Sequence, residues 1–260
     1  SLNTTGIYAT IRQRFDVLGR RLRVDSPDAG TRLTVQDAAG KPLRQWDSRG
    51  QTMRWQYDEL QRPTHMYVAD GTNEPLVQRT VYGEALDFEP EDPAPPIPRS
   101  QERNLRGQVY QVYDCAGLMT NAAFDFKGNL LRAVRRLADE YDEDPDWSDG
   151  ELEAVPSEIE QEVSGLLQTE EFATERTYDA LNRVVTQTSP TTGNPATDAS
   201  VTRLVYNEAG LLDAIYVSVR GAPEETVVGN IEYNARGQRL SCEHAATGGT
   251  PSHGIATRSK

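Results

Sequence analysis

FDVLGR (residues 15–20), YDELQR (57–62) and YDALNR (178–183) repeat one pattern: an aromatic residue, an Asp, two loop residues, a closing residue and an Arg. Aligning the chain on that Asp, or on an Asn in its place, gives further copies. The candidate repeat positions are Phe15, Asp16, Gly19 and Arg20, then Trp46, Asp47 and Gly50, then Tyr57, Asp58 and Arg62. The middle of the chain adds Tyr113, Asp114 and Gly117, and Phe124, Asp125 and Gly128. Later copies are Tyr178, Asp179 and Arg183, Tyr206, Asn207 and Gly210, and Tyr233, Asn234 and Gly237. QDAAG (36–40) continues the series without an aromatic residue. Asp37, Asp47 and Asp58 lie ten and eleven residues apart and Asp114 and Asp125 eleven, which is one strand plus one turn.

Each position has a physical job. An Asp or Asn side chain accepts a hydrogen bond from the backbone two residues on, and Gly or Asn three residues after it supplies the positive φ that closes a hairpin turn. Asn207 and Asn234 keep that chemistry without the charge, and YDELQ closes on Gln61 instead of Gly. Between the turns, Leu22 and Val24 alternate with Arg21 and Arg23, and Met53, Trp55 and Tyr57 share one side, as in strands with one buried face. The units read as hairpins laid end to end. One hairpin cannot stand alone, and the intervals of 28 and 27 residues between positions 179, 207 and 234 do not suit equal propeller blades. The expected fold is all-β: a continuous, strongly twisted antiparallel sheet with a short helical acidic insertion.

Of the 260 residues, 37% are hydrophobic, and Gly 20 with Pro 15 points to many turns. No apolar run is long enough to span a membrane as a helix, and SLNTTGIYATIRQRF has no basic region followed by an apolar stretch, so no export signal is expected in this segment. The formal charge is −13, yet between Leu137 and Glu175 there are fifteen Asp or Glu and no Lys or Arg, leaving the remainder near +2. That remainder lacks the basic stripe of a nucleic-acid binder. Cys115 and Cys242 are too few for a disulfide framework and read as buried thiols.

Two segments interrupt the hairpins, which occupy 1–83, 105–136 and 176–243. Residues 84–104 have a proline-dense centre that cannot donate a ladder of hydrogen bonds, so they read as an extended surface strap. Residues 137–175 form the acidic insertion, with a short helix near 158–168 whose Ile159, Val163, Leu166 and Leu167 share a face that docks on the sheet, and with Ser157 as its N-cap. LLRAVRRLADEYD (130–142) reads as a strand at least to Val134, with a candidate helix after it, and 244–260 as a flexible tail or truncated repeat.

No reaction is legible. His65, His244 and His253 have no recognisable spacing, and no catalytic, cofactor-binding or metal residue is assigned. Asp142, Asp144, Asp146 and Glu153 fall at positions 1, 3, 5 and 12 of an EF-hand-like loop, but Trp147 stands where the sharp bend needs Gly, so the segment reads as a solvated charged loop. The repeat Asp residues are accounted for by turns, whereas a glycosidase needs two non-equivalent carboxylates.

RFDVLGRRLRVDSPDAG, RWQYDELQRPTHMY, ERTYDALNRVVTQTSP and IEYNARGQR resemble YD repeats of the Rhs family, most closely those of insecticidal toxin-complex proteins. The stretches LVQRTVYGEAL, RNLRGQVYQVYDCAGLMTNAAFDFKGNLLRAVRRLADEY and LVYNEAGLLDAIYV resemble segments between YD units of that subgroup. The resemblance implies a sheet ribbon that spirals into a hollow shell around a cytotoxic C-terminal cargo, released by cleavage and delivered by a pore-forming partner. On it, the chain is a non-enzymatic part of a secreted bacterial toxin, either an internal piece of a larger protein or an unusually short relative. Its tyrosines pack between turns and its Asp residues fix the loops. Implied partners are the remaining shell, the cargo and the translocation component, with self-association through open sheet edges and no nucleic acid. The alternative is a carbohydrate or cell-surface adhesion module using exposed aromatics such as Trp46, Trp147 or Tyr216.

Overall fold

The computed structural model describes residues 10–90, 97–150, 155–192, 197–244 and 255–258. It is all-β, a strongly twisted antiparallel sheet with a small helical acidic insertion. The chain divides into two compact units, the first comprising 1–96, 109–118 and 137–168, the second 97–108, 119–136 and 169–260.

In the first unit, β1 (Arg12–Phe15), β2 (Arg21–Ser26), β3 (Gly30–Gln36), β4 (Pro42–Asp47), β5 (Gln51–Tyr57), β6 (Pro63–Asp70), β7 (Leu76–Tyr82) and β8 (Val109–Asp114) each pair antiparallel with the next strand in the chain. Early strands such as β4, PLRQWD, bury little, whereas β7 and β8 alternate buried and half-buried positions. The cause is the insertion. It packs a 3₁₀ turn at Trp147–Gly150 and the helix Pro156–Glu162 over one face, so that Trp147, Ile159, Val163 and Leu167 form a single core with Tyr67, Leu76, Val81, Tyr113 and Leu118. The Trp147 and Tyr113 rings meet at 5.4 Å in a tilted pair, the edge-to-face geometry that aromatic quadrupoles favour.

Polar contacts fix the cap. Asp146 Oδ1 accepts from the Leu76 N–H (2.9 Å) and the Ser148 N–H (3.1 Å). Gln111 Nε2 donates to Glu160 Oε1. The helix begins differently from expectation. Val155 is its N-cap and Pro156 its first residue, while Ser157 gives its N–H and hydroxyl to the Glu89 carboxylate at 2.9 and 2.6 Å. Pro at that position suits a helix start because its missing N–H would be unpaired there anyway.

The second unit contains most of β9 (Gly117–Phe124) and β10 (Leu130–Leu137), which pair with each other, and then β11 (Phe172–Tyr178), β12 (Val184–Thr188), β13 (Val201–Tyr206), β14 (Leu212–Ser218), β15 (Glu225–Tyr233), β16 (Arg239–His244) and β17 (Ile255–Arg258). From β10 onward each again pairs antiparallel with its chain neighbour.

Several expectations are corrected. The strand from Leu130 continues to Leu137 and gives way to bends, with no helix before Trp147. The segment expected to be extended starts as a 3₁₀ turn, Gly83–Phe88, and later holds a helical turn, Arg99–Glu102, with Leu86, Ser100 and Leu105 buried. Burial of the apolar Leu86 and Leu105 outweighs the extended preference of the proline-rich stretch, whose residues 91–96 lie outside the described residues. Of the tail, 245–254 and 259–260 lie outside them too, as do Glu153 and His253. Cys115 is exposed in the β8 hairpin, because a two-residue tip leaves nothing to cover it, whereas Cys242 is buried. Trp147, named as an exposed aromatic, is 1% exposed.

Trp147 is thus the pin that joins insertion to sheet. Trp147→Ala is expected to lower the unfolding free energy by about 3–5 kcal/mol in a denaturant titration, against no measurable change for Tyr141→Ala, whose side chain is 94% exposed. A loss within error of the Tyr141 control would show that the cap is not coupled to the sheet.

Candidate functional site

Because successive hairpins reverse direction, the turns of each unit alternate between two edges of the sheet. In the first unit the turns of Asp16, Asp37 and Asp58 share one edge and those of Asp47 and Asp114 lie on the other. In the second unit the turns of Asp125, Asp179, Asn207 and Asn234 share one edge. The copies aligned from sequence are therefore of two kinds.

The first kind has a constant geometry. In the Asp58 turn, the Asp58 N–H donates to Arg62 O (3.0 Å), the Gln61 N–H to Asp58 O (2.8 Å), and the Arg62 N–H to Asp58 Oδ1 (2.8 Å). The same backbone pair closes the turns of Asp16, Asp37, Asp125, Asp179, Asn207 and Asn234. The side-chain bond to the N–H four residues on is present in each as well, with Asn Oδ1 substituting for the carboxylate at Asn207 and Asn234. The closing residue has positive φ throughout, including the non-glycines Gln61 (64°) and Asn182 (63°). Where an Arg follows four residues after the Asp, its Nε donates to the second carboxylate oxygen: Arg20 to Asp16 at 2.6 Å, Arg62 to Asp58 at 2.7 Å and Arg183 to Asp179 at 2.7 Å. Where the turn residue is Asn, the position is Leu211 or Gln238, and after Asp125 it is Asn129, whose amide donates to the carboxylate in place of a guanidinium.

Just before these turns the strand register shifts by one residue, at Phe15, Gln36, Tyr57, Tyr82, Tyr178, Tyr206 and Tyr233. A bulge re-aims the side chain at that position and tightens the local twist. The re-aimed tyrosines reach the preceding turn of the same edge. Tyr57 Oη donates to Pro42 O (2.7 Å), Tyr82 to Pro63 O (3.1 Å), Tyr178 to Leu130 O (3.0 Å), Tyr206 to Val184 O (2.9 Å) and Tyr233 to Leu212 O (2.7 Å). Each acceptor is the residue five after that turn's Asp or Asn. Cations four after the Asp cover the same rings: Lys41 over Tyr57 (5.4 Å), Arg62 over Tyr82 (3.8 Å) and Arg183 over Tyr206 (4.3 Å). Neighbouring turns are stitched further by Arg20 to Asp37 O, Lys41 to Gln61 O and Lys127 to Ala180 O.

The second kind lacks this. Asp47 Oδ1 accepts from the Arg49 and Gln51 N–H groups, but Trp46 pairs with Thr52 without a register shift. Asp114 Oδ1 accepts from the Ala116 N–H in a shorter turn before Gly117, and Tyr113 points into the core, its hydroxyl on Gln111 Oε1. Phe15 and Phe124 have no hydroxyl to donate; Phe124 is held by its own backbone, with Asn104 Nδ2 on its carbonyl. Gly19, Gly50, Gly128, Gly210 and Gly237 occupy their closing positions.

Two sets escaped the sequence reading. Tyr82 is a full ladder tyrosine with Gly83 where an Asp would stand, so the motif hid it. Arg54 lies over the Tyr67 ring (3.7 Å) and donates to Glu74 Oε2 at 3.0 and 3.1 Å, and Arg203 does the same with Tyr216 (4.2 Å) and Glu224. Both arginines stand three residues before a ladder tyrosine, with their partner tyrosine thirteen residues on, a recurrence that pairwise comparison of the two hairpins would have exposed.

Electrostatics follow the turns. The Arg20 N–H, then its guanidinium, hold the Asp16 carboxyl below the usual carboxylate range, and Arg183 does the same for Asp179. The Asn129 side chain lowers Asp125. Burial opposes the charge of Asp58, and the Arg62 N–H and guanidinium overcome it. Outside the turns, Arg54 lowers Glu74, Arg203 lowers Glu224 and the Thr31 hydroxyl lowers Asp25. Among the described residues no group of three or more His, Cys, Asp or Glu could hold a metal ion. His65 stacks on Tyr67 and His244 Nε2 contacts Cys242 Sγ at 3.2 Å.

Comparison with known proteins gives three findings. Residues 37–72 match the RHS Repeat family. Two toxin subunits of Yersinia entomophaga are similar, YenC1 at 29% identity over 87% of this chain and YenC2 at 26% over 86%; the chain spans about a fifth of their length, 21% and 22%. The fold is shared with the crystal structure of TcdB2-TccC3, at TM-score 0.74 and 23% identity over 93% of this chain and 10% of that one. It is shared also with a Photorhabdus luminescens Tc holotoxin pore structure, at TM-score 0.75 and 22% identity, covering 93% of this chain and 10% of that chain.

The ladder makes its members separable by experiment. Tyr206→Phe is expected to cost about 1 kcal/mol, and Asp58→Ala about 1–2 kcal/mol, with Asp58→Asn milder because its Oδ1 still accepts; chemical denaturation checks all three. Gln61→Gly is expected to stabilise by about 0.5–1 kcal/mol, the left-handed strain removed less the chain entropy gained. Since the folded carboxyls of Asp16, Asp58, Asp125 and Asp179 are depressed, the stability they add is full above the unfolded value of about 3.9 and is lost as pH falls through the folded values. Melting temperature should be level at neutral pH and drop below about pH 4, and the fourfold Asp→Asn variant should drop less.

Proposed function

Because the chain is of the YD-repeat, Rhs type and homologous to Yersinia toxin subunits, we propose that it is a structural wall segment of a secreted toxin, part of a β-shell that encloses a cytotoxic C-terminal cargo. The observation that carries this reading is the edge of identical turns. Its conserved geometry within one chain consumes the Tyr, Asp and Arg of the motif in holding hairpins to one another, which gives them a scaffold role and leaves none as a nucleophile or acid–base pair. The role is structural, not enzymatic.

Enclosure needs a wall whose backbone is satisfied by its own neighbours, because an unpaired strand row recruits foreign chains. Strands that pair in succession meet that need. The setting is extracellular, since a toxin acts outside the cell that makes it. The partners are the remaining shell, the enclosed cargo and a pore-forming translocation component. The adhesion reading loses Trp147, which is in the core, and keeps Trp46 and Tyr216, which are half-buried beside the Arg44 and Arg203 guanidiniums.

A cryo-EM map of the full polypeptide containing this segment is expected to show a closed wall with weak, unstructured density inside. An open sheet with no enclosed chain would overturn the proposal.

A further inference from the structure

The first unit carries an arginine-rich strip, with fewer carboxylates than arginines, on one sheet face. Directly paired residues of antiparallel strands share a face, so Arg14, Arg23, Leu33 and Trp46 form one rung across β1 to β4, and Arg12, Asp25 and Thr31 a second beside it. Val35, Arg44, Arg54 and Tyr67 form a third on the same face. Two of the three rungs therefore place like charges directly opposite, Arg14 against Arg23 and Arg44 against Arg54, an arrangement that destabilises a sheet unless something anionic intervenes.

The molecule shows what satisfies such a pair. Glu74 spans the Arg44–Arg54 rung, accepting from Arg44 at 3.5 Å and from Arg54 at 3.0 Å, while the rings of Trp46 and Tyr67 lie under the two guanidiniums at 5.8 and 3.7 Å. In the Arg14–Arg23 rung the carboxylate at hand, Asp25, hydrogen-bonds Arg23 and acts on Arg14 through its field alone. Asp25 is committed to Arg23 at 2.8 Å and to the Thr31 hydroxyl at 2.7 Å. Arg12 and Arg14 are exposed and make no ion pair with the described residues. Five arginines, Arg12, Arg14, Arg23, Arg44 and Arg54, thus face two carboxylates, with Leu33, Val35 and Trp46 between them.

We propose that this face of β1 to β4 docks an extended acidic peptide segment of a partner protein, whose carboxylates bridge Arg14 and Arg23 as Glu74 bridges Arg44 and Arg54. Bidentate guanidinium–carboxylate geometry supplies the specificity, and the interleaved apolar side chains accept the aliphatic stems of Glu. The idea stands apart from the encapsulation reading, because it concerns one face of one unit whatever the rest of the polypeptide builds.

The test uses the whole 260-residue chain and fluorescein-labelled oligoglutamate at low ionic strength, read by anisotropy, with circular dichroism confirming the fold of each variant. Saturable binding is expected, weakened about tenfold or more by Arg12→Gln with Arg14→Gln, since losing one charged hydrogen bond corresponds to at least that factor. Arg32→Gln, on the opposite face beside Val24, should bind as the parent does. Absence of saturable binding, an equal loss in the Arg32 control, or a heparin fragment or single-stranded DNA binding as tightly as oligoglutamate would each overturn the proposal, the last by showing a surface that reads charge alone.

Discussion

A tyrosine hydroxyl on the carbonyl five residues after the preceding Asp is the contact from which the rest of this sheet follows. It requires a bulge to aim the ring and a closed Asp or Asn turn to present the carbonyl, and at Tyr57, Tyr82 and Tyr206 a cation also lies over the ring. Hairpins that would be marginal alone are thereby fastened turn to turn along one edge, and the opposite edge is free to vary. In the first unit it carries the tight Asp114 turn and the plain Asp47 turn.

That freedom explains how a chain of modest hydrophobicity finds a core. The early strands bury little on either face. Burial concentrates where the insertion lays Trp147, Ile159 and Val163 over Tyr67, Leu76 and Tyr113. Among the described carboxylates of the insertion, Asp146 bonds the Leu76 N–H and Glu160 accepts from Gln111. Electrostatics in the turns are local: Arg answers Asp16, Asp58 and Asp179, an Asn amide answers Asp125, and the Asn turns carry Leu or Gln.

Much of the fold was legible in the sequence because turn chemistry is local: Asp58, Gly128 or Gly210 state their backbone geometry wherever they occur. The docking stripe of Ile159 and Val163 was legible for the same reason, since helical spacing needs no tertiary context. What was not legible depends on two strands at once. A register shift leaves no residue signature of its own, so the equal alignment of Asp47 and Asp114 with Asp58 concealed two classes of turn. Tyr82 does the work of the motif without its Asp. Trp147 looked solvated because its neighbours in sequence are acidic, while its neighbours in space are apolar. Ser157 looked like a cap because a carboxylate from position 89 is invisible to local reading.

The central claim is that each tyrosine stabilises the turn before its own. Native-state hydrogen exchange of Tyr57→Phe against the parent chain tests it most directly, because Tyr57 Oη bonds Pro42 O and so anchors the Asp37 turn while its own turn is the Asp58 one. The account predicts a loss of protection at the Gly40 and Lys41 amides, with Gln61 and Arg62 unchanged. Unaltered protection at Gly40 and Lys41, or a loss confined to the Asp58 turn, would contradict it.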